Sequence, residues 1–334
     1  MKGHSKNICN HSSILGGVGL KSVRIKNTDF KLSPIGLGTV KAGLSWDHEE
    51  SFDLLEGYLK AGGNVIDTAH VYSDWIPGEI SRSERVIGDW IRSRNKTDDF
   101  ILMTKGGHPH MDNMHISRLS KEEMEDDLNG SLETLGVKTV DIYFYHRDDE
   151  NRSVEELIET MEAFKRADKI RAYGCSNWTT QRMKEAEDYC REKGYRGFVA
   201  NQAMYNIGVK YVRNLKDPTL VICDEAMLNY HRTSDTLLMP YSGICNGFFH
   251  VLKKKGIQGV KSDSYNEKGN LKIAEDLYKL CERKGYSITQ ALLGFFAVQD
   301  MEMVPLVGVS NQNQLRELGK VIETEFTPED YKFY

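Results

Sequence analysis

This sequence predicts a closed α/β barrel of eight parallel strands, the (β/α)8 TIM-barrel class, with a short N-terminal hairpin and long βα loops. Three observations carry the prediction. Short, apolar, β-rich runs alternate with helical patterns along the chain. Counting from residues 35–38 there are eight such runs, and eight β/α units favour closure over an open, doubly wound sheet. No G-x-G-x-x-G links a strand to a helix, so the usual mark of an open nucleotide-binding sheet is missing. The glycine cluster Gly16-Gly-Val-Gly19 precedes the first run and reads as part of a polar N-terminal segment.

The elements follow in order. Val23-Arg-Ile-Lys-Asn-Thr-Asp-Phe30 alternates and turns at Asn27, then leads into Leu32-Ser-Pro-Ile-Gly-Leu-Gly38, a hairpin feeding the first barrel strand. Helical patterns and strands then alternate: 48–61 with 64–67, 83–93 with 100–105, 121–135 with 140–146, 154–167 with 170–176, and 181–193 with 198–202. A helix over 219–229 precedes a strand over 236–241. Helices over 271–284 and 288–298 precede the last strand at 303–307, and a helix over 312–321 closes the chain. Leu128, Leu132 and Leu135 show the helical spacing of one buried face. The strands are continuous apolar runs, as expected where both faces of a parallel sheet are covered. Residues 1–20 read as an extension and 21–334 as one barrel domain. The segments 106–120 and 242–270 are long for βα loops, and long loops at the strand C-termini are where barrels build pockets.

Composition narrows the function classes. A net charge of −5 over 334 residues offers no basic face for nucleic acid. The one dense basic cluster, Lys253, Lys254 and Lys255, reads as a solvated loop. No apolar run approaches the ~18 residues of a membrane span. The polar start Met1-Lys-Gly-His-Ser-Lys-Asn does not resemble a secretory signal. Six scattered cysteines without a C-x-x-C read as reduced thiols of a cytoplasmic protein.

Asp67, Tyr72, Lys105 and His146 sit at or just beyond the ends of three successive strands. Together they are equipment for proton transfer. A free phenol has a pKa of about 10, so Tyr72 needs a nearby cation to donate readily. Lys105 can supply it, Asp67 can fix Lys105, and His146 can orient a carbonyl oxygen. Lys41 and Arg147 put charge at the mouth, which suits polar substrates, and Trp75 is placed to wall the pocket. His108, His110, Asp112 and His115 crowd one loop, which allows a metal site, but that loop lacks further ligands at fixed strand positions. No metal is expected, and His108 is read as a substrate-loop residue.

These residues reach a recognisable pattern. Asn64-Val-Ile-Asp-Thr-Ala-His-Val-Tyr72, followed by Ser83-Glu84-Arg85 and Ile87-Gly88, resembles the signature of the aldo-keto reductase superfamily. Lys105, then Leu135-Gly136 and Val140-Asp-Ile-Tyr143 leading to His146, are similar to its next blocks. Gly174-Cys-Ser-Asn177 and Asn201-Gln202 are similar to its cofactor blocks. The resemblance runs over about residues 22–325 in unbroken order. It implies a barrel that binds NADP or NAD and reduces a small carbonyl substrate, with Tyr72 as general acid, Lys105 and Asp67 as its activating pair, and His146 orienting the substrate. It further implies that Ser176, Asn177 and Gln202 bond the nicotinamide carboxamide, that Tyr241 stacks on the ring, and that Gly38 and Thr39 line that end. Ser242, Gly243, Ile244 and Cys245 would meet the pyrophosphate. Where many members carry basic residues to grip a 2′-phosphate, this chain has Gly308 and Gln314, with Ser310 between them, so NAD use stays open. A sugar-like substrate suits the charged mouth. A second reading is a cofactor-binding barrel with a regulatory or subunit role, a role some members play. Oligomeric state is open, and a metal-dependent hydrolase around His108 and His110 is the weakest reading.

Overall fold

The computed structural model describes residues 17–46, 48–215, 217–261 and 263–334. The chain enters through a hairpin, β1 (Val23–Arg24) and β2 (Lys31–Leu32), paired antiparallel with Val23 opposite Leu32. Asn27 takes the left-handed conformation its turn requires, at φ 57°, which asparagine tolerates better than most residues. Val23, Ile25, Phe30 and Leu32 are buried against Val65, Ile101, Ile142 and Leu306 of the barrel interior. The hairpin therefore plugs the floor of the barrel.

Above it the predicted alternation is present. β3 (Gly36–Gly38) leads to α1 (His48–Lys60), β4 (Val65–Asp67) to α2 (Arg82–Ser93), and β5 (Ile101–Gly106) to α3 (Lys121–Leu135). β6 (Val140–Tyr145) leads to α4 (Val154–Arg166), β7 (Ile170–Ser176) to α5 (Thr180–Lys193), and β8 (Ala200–Gln202) to α6 (Glu225–Thr233). β9 (Leu237–Leu238) is followed by α7 (Phe248–Lys255), α8 (Lys268–Lys284) and α9 (Ile288–Ala297), and β10 (Leu306–Val307) by α10 (Gln312–Glu323). The eight strands β3 to β10 form one parallel sheet in which β10 lies beside β3. A parallel bridge from Leu238 to Met303 and a bond from Leu306 N to Pro240 O (2.7 Å) join β9 to the approach of β10, closing the barrel.

Helix starts follow local chemistry. Ser120 with Glu123, and Ser287 with Gln290, form reciprocal capping boxes, each satisfying amide groups that a helix start leaves open. Two expectations are corrected. The sixth helix begins at Glu225, not at residue 219: Thr219 bonds back to Asp217 through its amide (2.9 Å) and hydroxyl (2.5 Å), a local alternative that competes with helix. Asp224 then caps the helix by accepting from Met227 N. The segment 242–270 contains α7 and the start of α8, and Lys253–Lys255 form the last turn of α7, where cations oppose the helix dipole. Val18 pairs with Phe326, and Leu20 packs into the helix-facing core. The first sixteen residues of the expected extension lie outside the described residues. Among the described residues no helix is long and apolar enough to cross a membrane.

Candidate active site

Strand periodicity positions the site. On each strand, alternate side chains point into the barrel, and Val65, Met103, Phe144, Ala172, Ala200, Met239 and Leu306 belong to the interior cluster. Two residues further toward each C-terminus stand Asp67, Lys105, His146, Gly174 then Ser176, Gln202, Tyr241 and Gly308. Gly38 is the matching position of β3. All the candidates among them line a single cleft of about 590 Å³ at the strand C-termini. They form the top inward rung of the barrel, so residues far apart in sequence share one level.

Lys105 is the hub. It is 2% exposed, and its Nζ donates to Asp67 Oδ2 (2.8 Å), the Thr68 carbonyl (2.7 Å) and Tyr72 OH (3.0 Å). An ammonium has three protons, and all three are committed. Because the Tyr72 oxygen accepts from Lys105, its own hydrogen is left to point into the cleft. Gln202 Nε2 donates to the other oxygen of Asp67 at 2.7 Å. Burial pulls the Lys105 pKa down, but the charges and hydrogen bonds of Asp67 and Tyr72 more than offset it, and the net direction is up. Tyr72 corrects a simple expectation. Burial raises its pKa, and Lys105 opposes that rise without reversing it. The phenol therefore stays protonated at neutral pH, with a cation ready to stabilise the oxygen once the proton leaves.

His146 faces Tyr72 edge-on at 5.8 Å between ring centroids. Burial, reinforced by Arg147, His108 and Lys105, holds its pKa well below the usual imidazole value. Its Nδ1 is buried without a hydrogen-bond partner among the described residues. Orphaned buried N–H groups are rarer than orphaned acceptors, so the proton belongs on Nε2, where it can be donated. Asn177, left-handed at φ 60°, ties the neighbouring loops together. It donates to the His146 carbonyl (3.2 Å) and Ser176 Oγ (3.1 Å), and accepts from Tyr241 OH (2.7 Å).

The remaining candidates divide. Lys41, Arg147, Ser242, Gly243, Ile244, Ser310 and Gln314 line the cleft. Lys41 lies at the end opposite the one expected: its Nζ donates to Ser310 Oγ at 3.0 Å. Arg147 is buried and occupied, bonded to Asp217 (2.8 Å), Thr219 (2.6 Å) and the His146 carbonyl (2.7 Å). Four candidates are not among the lining residues. Thr39 turns its hydroxyl to the Asp67 carbonyl and Ser83. Cys245 is buried with Sγ on Asn206. Trp75 is 42% exposed in the loop after Tyr72, away from the pocket wall expected of it. His108 lies behind His146, rings 4.9 Å apart, and accepts from Arg147 at 3.0 Å. Burial and Arg147 push its pKa down to about 4. Among the described residues no three His, Cys, Asp or Glu converge as metal ligands. The sequence reading missed Leu220, Thr289 and Glu317 on the cleft wall; only the α10 periodicity hinted at Glu317, one turn beyond Gln314.

The cleft suits an extended dinucleotide. Gly38 and Gly308 lie side by side, and a Cβ built on either meets nothing closer than 3.5 Å. Any larger side chain there would fill the floor of the groove. Ser242, Cys245, Asn246 and Gly247 all have positive φ, curling the backbone into the kind of concavity that turns amides toward an anion. Amide side chains at one end, this curl in the middle and a cation beside Ser310 at the other match carboxamide and phosphate groups.

The chain is also similar to known proteins. A sequence profile of the aldo/keto reductase family matches residues 34–333. Norsolorinic acid reductase B of Dothistroma septosporum is 25% identical over 298 residues, covering 83% of this chain and 71% of the relative. The NADP(+) aryl-alcohol dehydrogenase of Phanerodontia chrysosporium is 24% identical over 331 residues, covering 90% and 81%. An aryl-alcohol dehydrogenase of Pestalotiopsis microspora is 23% identical over 314 residues, covering 90% and 77%.

Proposed function

This chain belongs to the aldo/keto reductase family, an oxidoreductase with a nicotinamide dinucleotide as its redox partner, and from that premise we propose that it reduces a small neutral aldehyde or ketone with Tyr72 as the general acid. The observation that carries the reading is the commitment of all three Lys105 protons to Asp67, Thr68 and Tyr72. It leaves a half-buried phenol with one hydrogen to give and a cation 3.0 Å away to stabilise the resulting oxyanion. When bound, a nicotinamide would supply the hydride that the carbonyl carbon accepts. Tyr72 transfers its proton to the carbonyl oxygen, and the neutral His146 Nε2–H bonds the same oxygen and holds it in place. Ser176, Asn177 and Gln202 would orient the carboxamide, and Tyr241 would back the ring. Ser242, Gly243 and Ile244 would meet the pyrophosphate.

The charge expected at the mouth does not select an acidic substrate, because Arg147 is already paired with Asp217. Val40 and Leu220 add apolar wall to the cleft. Relatives named for aryl alcohols justify aryl aldehydes beside sugar aldehydes in the assay panel. Either nicotinamide can serve, since the far end offers Lys41, bonded to Ser310, in place of the missing basic residues. Among the described residues, five unpaired thiols, Cys175, Cys190, Cys223, Cys245 and Cys281, support a reducing compartment, the cytoplasm in our reading.

Replacing Tyr72 with Phe tests the assignment. Turnover is expected to fall by about 10³-fold, within the span of general-acid contributions, while cofactor affinity by fluorescence titration holds within two-fold. A variant keeping most of its turnover would reassign the acid.

A further inference from the structure

Behind the Tyr72 loop, on the side away from the cleft, lies a buried charge cluster that the reaction as described does not use. We propose that His70 is a positioning residue: as an imidazolium held between Glu84 of α2 and Asp127 of α3, it fixes the segment from Thr68 to Tyr72 against Lys105 and so sets where the Tyr72 hydroxyl stands. The inference rests on Tyr72 being the acid.

The contacts are specific. Within this five-residue segment, the Thr68 carbonyl and Tyr72 OH both bond Lys105 Nζ, and His70 N donates to the Lys105 carbonyl at 3.0 Å. The His70 side chain points the opposite way. Its Nδ1 lies 3.4 Å from Glu84 Oε2, 3.2 Å from Ser81 Oγ and 3.3 Å from Ser131 Oγ, and its Nε2 is 4.0 Å from Asp127 Oδ1. A Cβ on Gly130 would stand 3.0 Å from the ring, so α3 packs closely on it. Glu84 is fully buried and accepts from Thr104 (2.5 Å) and Ser131 (3.1 Å). Thr104 precedes Lys105 on β5 and faces outward where Lys105 faces in, so the brace reaches both proton-handling residues. Asp127 also bonds Gly107 N (2.8 Å) and Arg118 (2.7 Å), fixing the loop that leaves Lys105.

The charges explain why an imidazole sits here. Three carboxylates face His70: Glu84 from α2, Asp127 from α3 and Asp74 from its own loop. Arg118 answers Asp127. Tyr143 of β6 feels Asp127 and Glu84 and stays protonated. Among the described residues His70 is the only ion-pair partner of Glu84. A neutral ring would leave that buried carboxylate uncompensated, which is costly. Burial pulls the His70 pKa down, but the bond to Glu84 and the three carboxylates prevail and the net direction is up. The sign follows: the stabilisation is fully present below the unfolded value of about 6.5, and is lost as pH rises through the folded pKa.

The test uses the full chain and His70→Gln, which keeps reach and hydrogen bonding but cannot titrate. With saturating cofactor, wild-type kcat should step down about ten-fold as pH rises through the His70 pKa, short of the ~10²-fold that a 1 Å misplacement can cause. His70→Gln should sit at the lower level without that step, with KM and cofactor affinity unchanged. In histidine-labelled protein, the resonance missing from His70→Gln should titrate above the free imidazole value, and Glu84→Gln should bring it below. A His70→Gln enzyme with wild-type kcat and the same pH step, or a resonance titrating at or below the free value, overturns the proposal. If no carbonyl is reduced by wild type, the reductase reading fails separately. The ring-carbon resonance of Tyr72, identified with Tyr72→Phe, must then still shift in His70→Gln, and an unmoved resonance sinks the brace.

Discussion

Lys105 has three protons and three partners, and that economy makes it the residue on which both stability and chemistry depend. Replacing it with Met leaves Asp67 buried with, among the described residues, only the Gln202 amide for a side-chain partner. Removing one member of a buried pair costs about 3–5 kcal/mol, mostly from the stranded charge. The expected result of Lys105→Met is therefore a large drop in the urea midpoint together with loss of turnover. Adding Asp67→Asn should recover most of the stability, because the stranded charge is gone, yet none of the activity, because nothing stabilises the Tyr72 oxyanion. Denaturation and turnover measured on the two variants separate these effects. A double variant as unstable as the single one would show that packing of the lysine stem, not charge, dominates at this position.

At the scale of elements, the site is a set of loops brought level by strand ends, and this explains what could be read in advance. Asp67, Lys105, His146, Gln202 and Tyr241 were legible because each continues the inward alternation of a strand visible as an apolar run. Loop residues were not. Trp75 and His108 fall near the site in sequence, but nothing in local pattern says which way a loop turns its side chains. The start of α6 lies later than the pattern suggests because Thr219 bonds back to Asp217, and the chain turns into helix only at Glu225. α7 was hidden among Gly243, Gly247, Gly256 and Gly259, whose density reads as loop. Lys41 is the instructive case. The loop after β3 meets the loop after β10 through Lys41 and Ser310, a contact between opposite ends of the chain that no local reading contains. If Lys41 meets the 2′-phosphate, Lys41→Ala should weaken NADPH binding about ten-fold, one charge-assisted bond's worth, and leave NADH binding unchanged. Tryptophan-fluorescence titration with both cofactors decides it. Equal losses for both would assign the lysine to the pyrophosphate instead.

The whole molecule separates the two ends of its barrel. At the top, the inward rung is polar and its members depend on one another through Lys105 and Asn177. At the bottom, the hairpin inserts Val23, Ile25, Phe30 and Leu32 among interior residues of the strands, and Arg171 stacks over the Phe30 ring at 4.5 Å. Between them lie the apolar layers formed by Val65, Met103, Ile142, Phe144 and Met239. If those layers insulate the site, damage to the floor should lower stability without touching chemistry. Phe30→Ala is the sharpest such lesion, since it removes a 4% exposed ring from the hairpin plug. The expected cost is about 3–5 kcal/mol, read as a lowered urea midpoint, with kcat and cofactor affinity unchanged at temperatures where the variant remains folded. A kcat that falls in proportion to the lost stability would mean that floor and rung move as one unit, and that the pose of Tyr72 is set by the packing of the entire barrel instead of by the loops around it.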